Sequence, residues 1–131
     1  TIFTRIINRE IPGTFVHEDE HCVAFLSINA LADGHVLLIP REEVDHWVDM
    51  DESLSSHLFA VSHRLAQALE KAFPCERVGL IIAGYEINHC HVHLVPTKDM
   101  SQLDFRNAAQ TVDRARLEAN AALIIAALAA D

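Results

Sequence analysis

The run His89-Cys90-His91-Val92-His93-Leu94-Val95 decides how this chain is read. In an extended segment successive side chains point to opposite sides, so residues two apart share a face. His89, His91 and His93 then line one face, while Cys90, Val92 and Leu94 line the other and can enter a core. Three imidazoles in register are hard to explain as packing, because each buried ring needs hydrogen-bond partners. Three readings fit the row. It can be a solvated strand face that happens to be rich in histidine. It can be a metal site, because His-x-His on a strand is a ligand spacing, although no nearby Asp, Glu or Cys completes a ligand set. It can be a phosphate site, in which a neutral imidazole is the nucleophile and a protonated neighbour stabilises an oxyanion or leaving group.

Working outward from the run, residues 78–83 and 35–39 read as two further buried strands, the second stopped by Pro40. Phe15–Val16 and residues 22–26 are short strand candidates flanking the charged turn His17-Glu18-Asp19-Glu20-His21, a hairpin pattern. Residues 52–73 give the clearest helix. Leu54, Leu58, Val61, Leu65, Leu69 and Ala72 form one apolar stripe, with Asp51 or Ser53 to cap it and Pro74 to end it. A short helix over residues 3–9 stops at Pro12-Gly13, residues 104–110 are irregular, and residues 111–130 form a final helix rich in Ala, Leu and Ile. Strands and helices do not alternate regularly. The expected class is α+β: a mostly antiparallel five-stranded sheet with one long helix, a short N-terminal helix and a C-terminal helix, in a single domain over residues 1–131.

Composition bounds the function. The chain has 131 residues, half of them hydrophobic, enough for one domain with a real core. Its net charge of -9 argues against a nucleic-acid polymer as partner, since that needs a Lys/Arg footprint. An acidic surface still permits a pocket that binds one small phosphorylated ligand. Cys22, Cys75 and Cys90 make an odd set with no paired spacing, which favours a reducing compartment over a disulfide framework. No signal-peptide core is present at the start of the sequence, and the longest apolar run, residues 121–130, is too short to span a bilayer. A cytoplasmic protein without a membrane partner is expected.

The triad run fits the pattern His-φ-His-φ-His-φ-φ, with φ apolar, and the chain resembles the histidine-triad (HIT) family. Three other blocks carry the resemblance in the right order: residues 2–12, Ala24-Phe25-Leu26-Ser27-Ile28-Asn29, and Gly34-His35-Val36-Leu37-Leu38-Ile39-Pro40. The most similar branch is the nucleotide-binding, HINT-like one, in a bacterial style. The resemblance implies a hydrolase in which His91 attacks the α-phosphorus of a nucleoside phosphoramidate or related nucleotide. A nucleotidyl-histidine forms, and water releases the nucleoside monophosphate. His89 and His93 would flank the phosphate, and His35 would complete the cluster. His91 needs one ring nitrogen free, so the other should donate to an acceptor such as a backbone carbonyl. Phe3, Ile6, Ile11, Ile28 and Leu37 match the positions that hold base and ribose, and each is equally explained as core. The implied partners are a purine nucleotide or phosphoramidate and a second copy of the chain, with Trp47 and the C-terminal helix as dimer candidates. No cofactor is implied.

The sequence departs from the family at several points. Ser27 stands where an Asp often binds the ribose hydroxyls. Glu86 stands where phosphoramidate hydrolases place a Ser that helps the leaving group, and can serve as a proton donor or repel an anion. Ile82 or Ala83 replaces an Asn near the phosphate. The paired cysteines that hold zinc in some relatives are absent from residues 2–7, so no such metal site is expected. His17, His21, His46, His57 and His63 read as surface residues, Glu42, Glu43, Asp45, Asp49 and Asp51 as a solvated acidic stretch, and Cys90 as facing away from the triad.

Overall fold

β2 (Cys22–Leu26) and β3 (Val36–Pro40) are buried at every position. A strand buried on both faces lies inside a sheet that carries a layer on each side. The computed structural model, which describes residues 1–130, places both strands so. With β1 (Phe15–Glu18), β4 (Arg77–Ile81) and β5 (Val92–Thr97) they form one antiparallel sheet in the order β1-β2-β3-β5-β4. The expected α+β architecture is the observed one.

Alternation divides the sheet into two faces. Val16, Cys22, Ala24, Leu26, Val36, Leu38, Val92 and Leu94 pack with the long helices α2 (Glu52–Ala72) and α3 (Arg114–Ala129). Val23, Phe25, Leu37 and Ile39 pack with Phe3 and Ile7 of α1 (Ile2–Ile7). On α2 the buried stripe is Leu58, Val61, Ser62, Leu65, Ala68 and Leu69. Each large aliphatic residue there contributes about 1.5–3 kcal/mol on leaving water. Asp51 caps α2 through Ser53 N at 3.1 Å. The helix stops before Phe73, whose extended backbone is what a residue preceding proline prefers. Asp113 caps α3 through Arg116 N at 3.1 Å. That cap moves the start of the last helix from the expected residue 111 to Arg114.

Two further differences from the sequence reading have local causes. β1 continues beyond Val16, because His17 and Glu18 pair with Ala24 and Val23. The register shifts between Phe15 and His17, so Phe15 lies opposite Phe25 while His17 lies opposite Ala24. Residues directly opposite share a face, so this bulge sends His17 to the helix side of the sheet. β5 begins at Val92 and not at His89. Before it, Cys90 N donates to Val44 O at 2.7 Å, outside the sheet ladder.

Gly34 feeds the chain into His35 with φ +86°, and a Cβ there would lie 2.6 Å from the Phe73 ring. Only glycine meets both conditions without strain. Among the described residues no helix is long and apolar enough to cross a membrane.

Candidate active site

His91 is buried, and its Nδ1 lies 2.8 Å from the His89 carbonyl oxygen. A carbonyl only accepts, so Nδ1 carries the proton. In the neutral ring Nε2 then keeps its lone pair. This is the arrangement a nucleophilic imidazole needs.

His35 and His93 form a second ordered pair. Leu31 N lies 3.0 Å from His35 Nδ1, and a backbone N–H only donates, so Nδ1 accepts. Burial, reinforced by the neighbouring rings of His93 and His91, pushes the pKa of His35 down to about 3. The ring is therefore neutral near pH 7 and carries its proton on Nε2. That N–H donates to His93 Nδ1 at 3.0 Å. Burial, and then the neighbouring His91 ring, push His93 down to about 4, so it too is neutral near pH 7. Its remaining proton lies on Nε2, which is buried and has no hydrogen-bond partner among the described residues. A relay that begins at a backbone amide thus ends in an unpaired N–H donor, a group that is costly to bury unless something accepts from it. The rings of His91 and His93 meet edge to face with centroids 4.9 Å apart.

His89 is placed differently from the sequence expectation. Three rings on one strand face would have put it beside the phosphate. Because the strand starts only at Val92, His89 turns inward and is fully buried. Its Nε2 donates to Pro40 O at 2.7 Å, and its Nδ1 pairs with Thr1 Oγ1 at 2.7 Å. Burial lowers its pKa. The ring fixes the backbone whose carbonyl orients His91.

A cavity of about 420 Å³ opens over His91 and His93. Of the sequence-predicted residues it gathers His35, Phe3, Ile6, Ile11, Ser27, Ile28, Leu37 and Glu86, and leaves out His89. Phe3 meets the His91 ring edge-on at 4.9 Å, and Phe105 meets the His93 ring at 4.9 Å. The rings of His91 and His93 are therefore walled by phenylalanines. Phe3, Leu37 and Ser27 are buried, whereas Ile28 is exposed. Phe105 and Arg114, which also line the cavity, escaped the sequence reading. Phe105 lies in a single 3₁₀ turn with no periodic signal, and Arg114 is the only Arg or Lys in the lining.

Glu86 approaches His91, with Oε2 3.3 Å from Nε2. A carboxylate facing an unprotonated ring nitrogen is a repulsive pair of acceptors, so one of the two must hold a proton for this contact to form. Single ligand atoms of Glu86, His91 and His93 lie within 4.8 Å of one another, a spacing that also suits a metal ion. A second such group, His17, Asp19 and Cys22, lies on the other face of the sheet. Cys90 also faces that side, lining an apolar groove with Trp47, Phe59 and Leu80.

The HIT domain family matches residues 8–100, and the chain belongs to it. This is a family of nucleotide-binding hydrolases. An uncharacterized HIT-like protein of Borreliella burgdorferi is 35% identical over 102 residues, covering 72% of this chain and 73% of that one. The adenosine 5'-monophosphoramidase HNT1 of Saccharomyces cerevisiae is 32% identical over 99 residues, covering 75% of this chain and 63% of the yeast protein. A histidine triad nucleotide-binding protein of Sulfolobus tokodaii superposes with a TM-score of 0.86 at 26% identity, covering 99% of this chain and 93% of that one.

Proposed function

We propose that this protein hydrolyses nucleoside phosphoramidates or related nucleotides at the α-phosphorus, through a nucleotidyl intermediate on His91. The observation that carries the reading is the His91 Nδ1 bond to the His89 carbonyl, which leaves Nε2 as the attacking atom. In the first step the Nε2 lone pair forms a bond to phosphorus and the bond to the leaving group breaks. The His93 Nε2–H donates to the charge that develops there. Glu86 in its acid form gives the departing amine its proton. In the second step water attacks phosphorus, Glu86 takes a proton from it, and the nucleoside monophosphate leaves His91. Phe3, Ile6, Ile11, Ile28 and Leu37 would hold base and ribose, with Ser27 as a neutral partner for a ribose hydroxyl. Arg114 would supply the cationic edge.

The phosphoramidase activity named for the yeast relative supports this substrate class. We also take the working unit to be a homodimer in a reducing compartment. β4 leaves one edge of the sheet open, and beside it Trp47 is 51% and Phe59 68% exposed, an apolar strip that a second copy would cover. The packing of α3 on the α2 face supports its belonging to the same domain.

Steady-state release of AMP from an adenosine phosphoramidate tests the assignment. The wild-type chain turns over, and His91→Ala binds AMP but releases none. Equal rates in both would remove His91 from the chemistry. A second reading, a nucleotide-binding module without turnover, draws on the Glu86 contact alone. A carboxylate 3.3 Å from His91 Nε2 would hold a protonated ring and repel a phosphate. Turnover that appears only in Glu86→Gln would favour that reading.

A further inference from the structure

We infer that His17, Asp19, Cys22 and His57 form a second, non-catalytic site that binds a zinc ion on the helix side of the sheet. Three side chains converge on one atom, the Asp19 Oδ2 oxygen, and single ligand atoms of His17, Asp19 and Cys22 lie within 4.8 Å of one another, with His57 approaching through Asp19. His17 Nε2 lies 2.7 Å from Oδ2, His57 Nε2 2.9 Å and Cys22 Sγ 3.3 Å. The other carboxylate oxygen, Oδ1, accepts from His21 N at 2.7 Å and Cys22 N at 2.9 Å. Five donors therefore crowd a carboxylate that offers about four lone-pair positions. Three of those donors meet the single oxygen Oδ2. A cation among the four side chains resolves the crowding, because every lone pair then points at a positive charge.

The ligand chemistry is specific. Two imidazoles, a thiolate and a carboxylate make a mixed N, S and O set that suits tetrahedral zinc and is too soft for magnesium or calcium. With His57 drawn in from Asp19 Oδ2 as the fourth ligand, no position stays open, so the site would be structural. The second shell is already built: the two backbone amides on Oδ1 orient the Asp19 carboxylate, and Arg41 Nε donates to Asp19 O at 2.9 Å. The fold delivers the ligands from β1, the turn after it, β2 and α2. Cys22 opens β2 and faces α2, His57 comes from α2, and Asp19 sits in the turn between β1 and β2. His17 reaches the same side only because of the bulge after Phe15, which in a regular strand would have left it facing the catalytic cavity. On binding, the Cys22 thiol and any protonated imidazole release protons to water, and the four bonds to zinc replace the hydrogen bonds on Oδ2. The ion would pin the β1–β2 turn to α2, on the opposite side of the sheet from His91.

Metal-stripped full-length protein titrated with Zn²⁺ or Co²⁺ against a chromophoric chelator tests the site. The wild-type chain and His91→Ala each take up one equivalent here, and the cobalt form shows a thiolate-to-metal charge-transfer band. Cys22→Ser abolishes the band. His57→Gln weakens uptake by at least the roughly 10–100-fold that loss of an outer-shell partner costs, while AMP release by the metal-free protein is unchanged. His57 is a helix-surface position, so this variant keeps the test open if Cys22→Ser fails to fold. The His91→Ala background removes the competing set Glu86, His91 and His93. Absence of the band in wild-type protein overturns the proposal. So does binding that survives in His57→Gln and Cys22→Ser but is lost in His91→Ala, which would place the ion at the catalytic rings.

Discussion

The two faces of the sheet are built from neighbouring residues of the same strands, yet they have different fates. Leu38 faces the helices and is fully excluded from water, sealed by α2 and α3. Leu37, the next residue, faces a layer made of six-residue α1, connecting segments and the first residue of α3, and there a cavity of about 420 Å³ remains. The helix face is a closed aliphatic core, and the other is a half-covered aromatic one with histidines in its floor. Binding sites need an apolar wall that is not sealed, and here the short covering element supplies it. The helix face also carries a polar cluster, but it is set at the hairpin margin, where three side chains share the Asp19 carboxylate.

The largest effect that would break this comparison is at His91. His91→Ala is expected to lower turnover by on the order of 10⁴-fold or more while AMP affinity changes only a few-fold, as read by kcat and isothermal titration. Next come the adjacent leucines. Leu38→Ala should cost about 2–5 kcal/mol in urea unfolding with little effect on KM, because the closed core cannot refill the space. Leu37→Ala opens onto existing space, so its stability cost is smaller and its effect falls mainly on KM. Equal costs at the two positions would mean that the faces do not differ as described.

Glu86→Gln sharpens the picture at the rim. If Glu86 protonates the leaving group, the variant loses roughly 100-fold in kcat on a phosphoramidate with a basic amine, and little on a substrate whose leaving group needs no proton. An equal loss on both substrates would remove that role.

The smallest effect, taken per pH unit, is in pH dependence. Burial holds the pKa of folded His35 down at about 3, well below a free histidine. Between the two values the unfolded chain holds more protons, so stability is full above about pH 6.5 and declines as pH falls toward the folded value. The contribution is about 1.4 kcal/mol per pH unit, and it should vanish from the His35→Asn curve in parallel urea melts.

The sequence carried the elements with strong periodicity. The α2 stripe runs where its leucines placed it, and β2 and β3 follow their apolar runs. The triad was legible as chemistry but not as geometry. Alternation assumes that the strand reaches back to His89, and the backbone instead leaves the ladder so that the His89 ring and carbonyl can be used separately. The partners that set the tautomers, Leu31 N–H and the carbonyls of Pro40 and His89, are main-chain groups that every residue carries, so no residue type announces them. His17 and His57 read as surface residues because the bulge that turns His17 around, and the turn that sets Asp19 under His57, are tertiary features.

The most direct test of the central claim is a trapping experiment with adenosine phosphoramidate and rapid acid quench, read by intact mass and peptide mapping. The account predicts one adenylyl group per chain, attached to His91 and absent from His91→Ala. Substrate consumption with no adduct at any time point, or an adduct that maps to another residue, would contradict it.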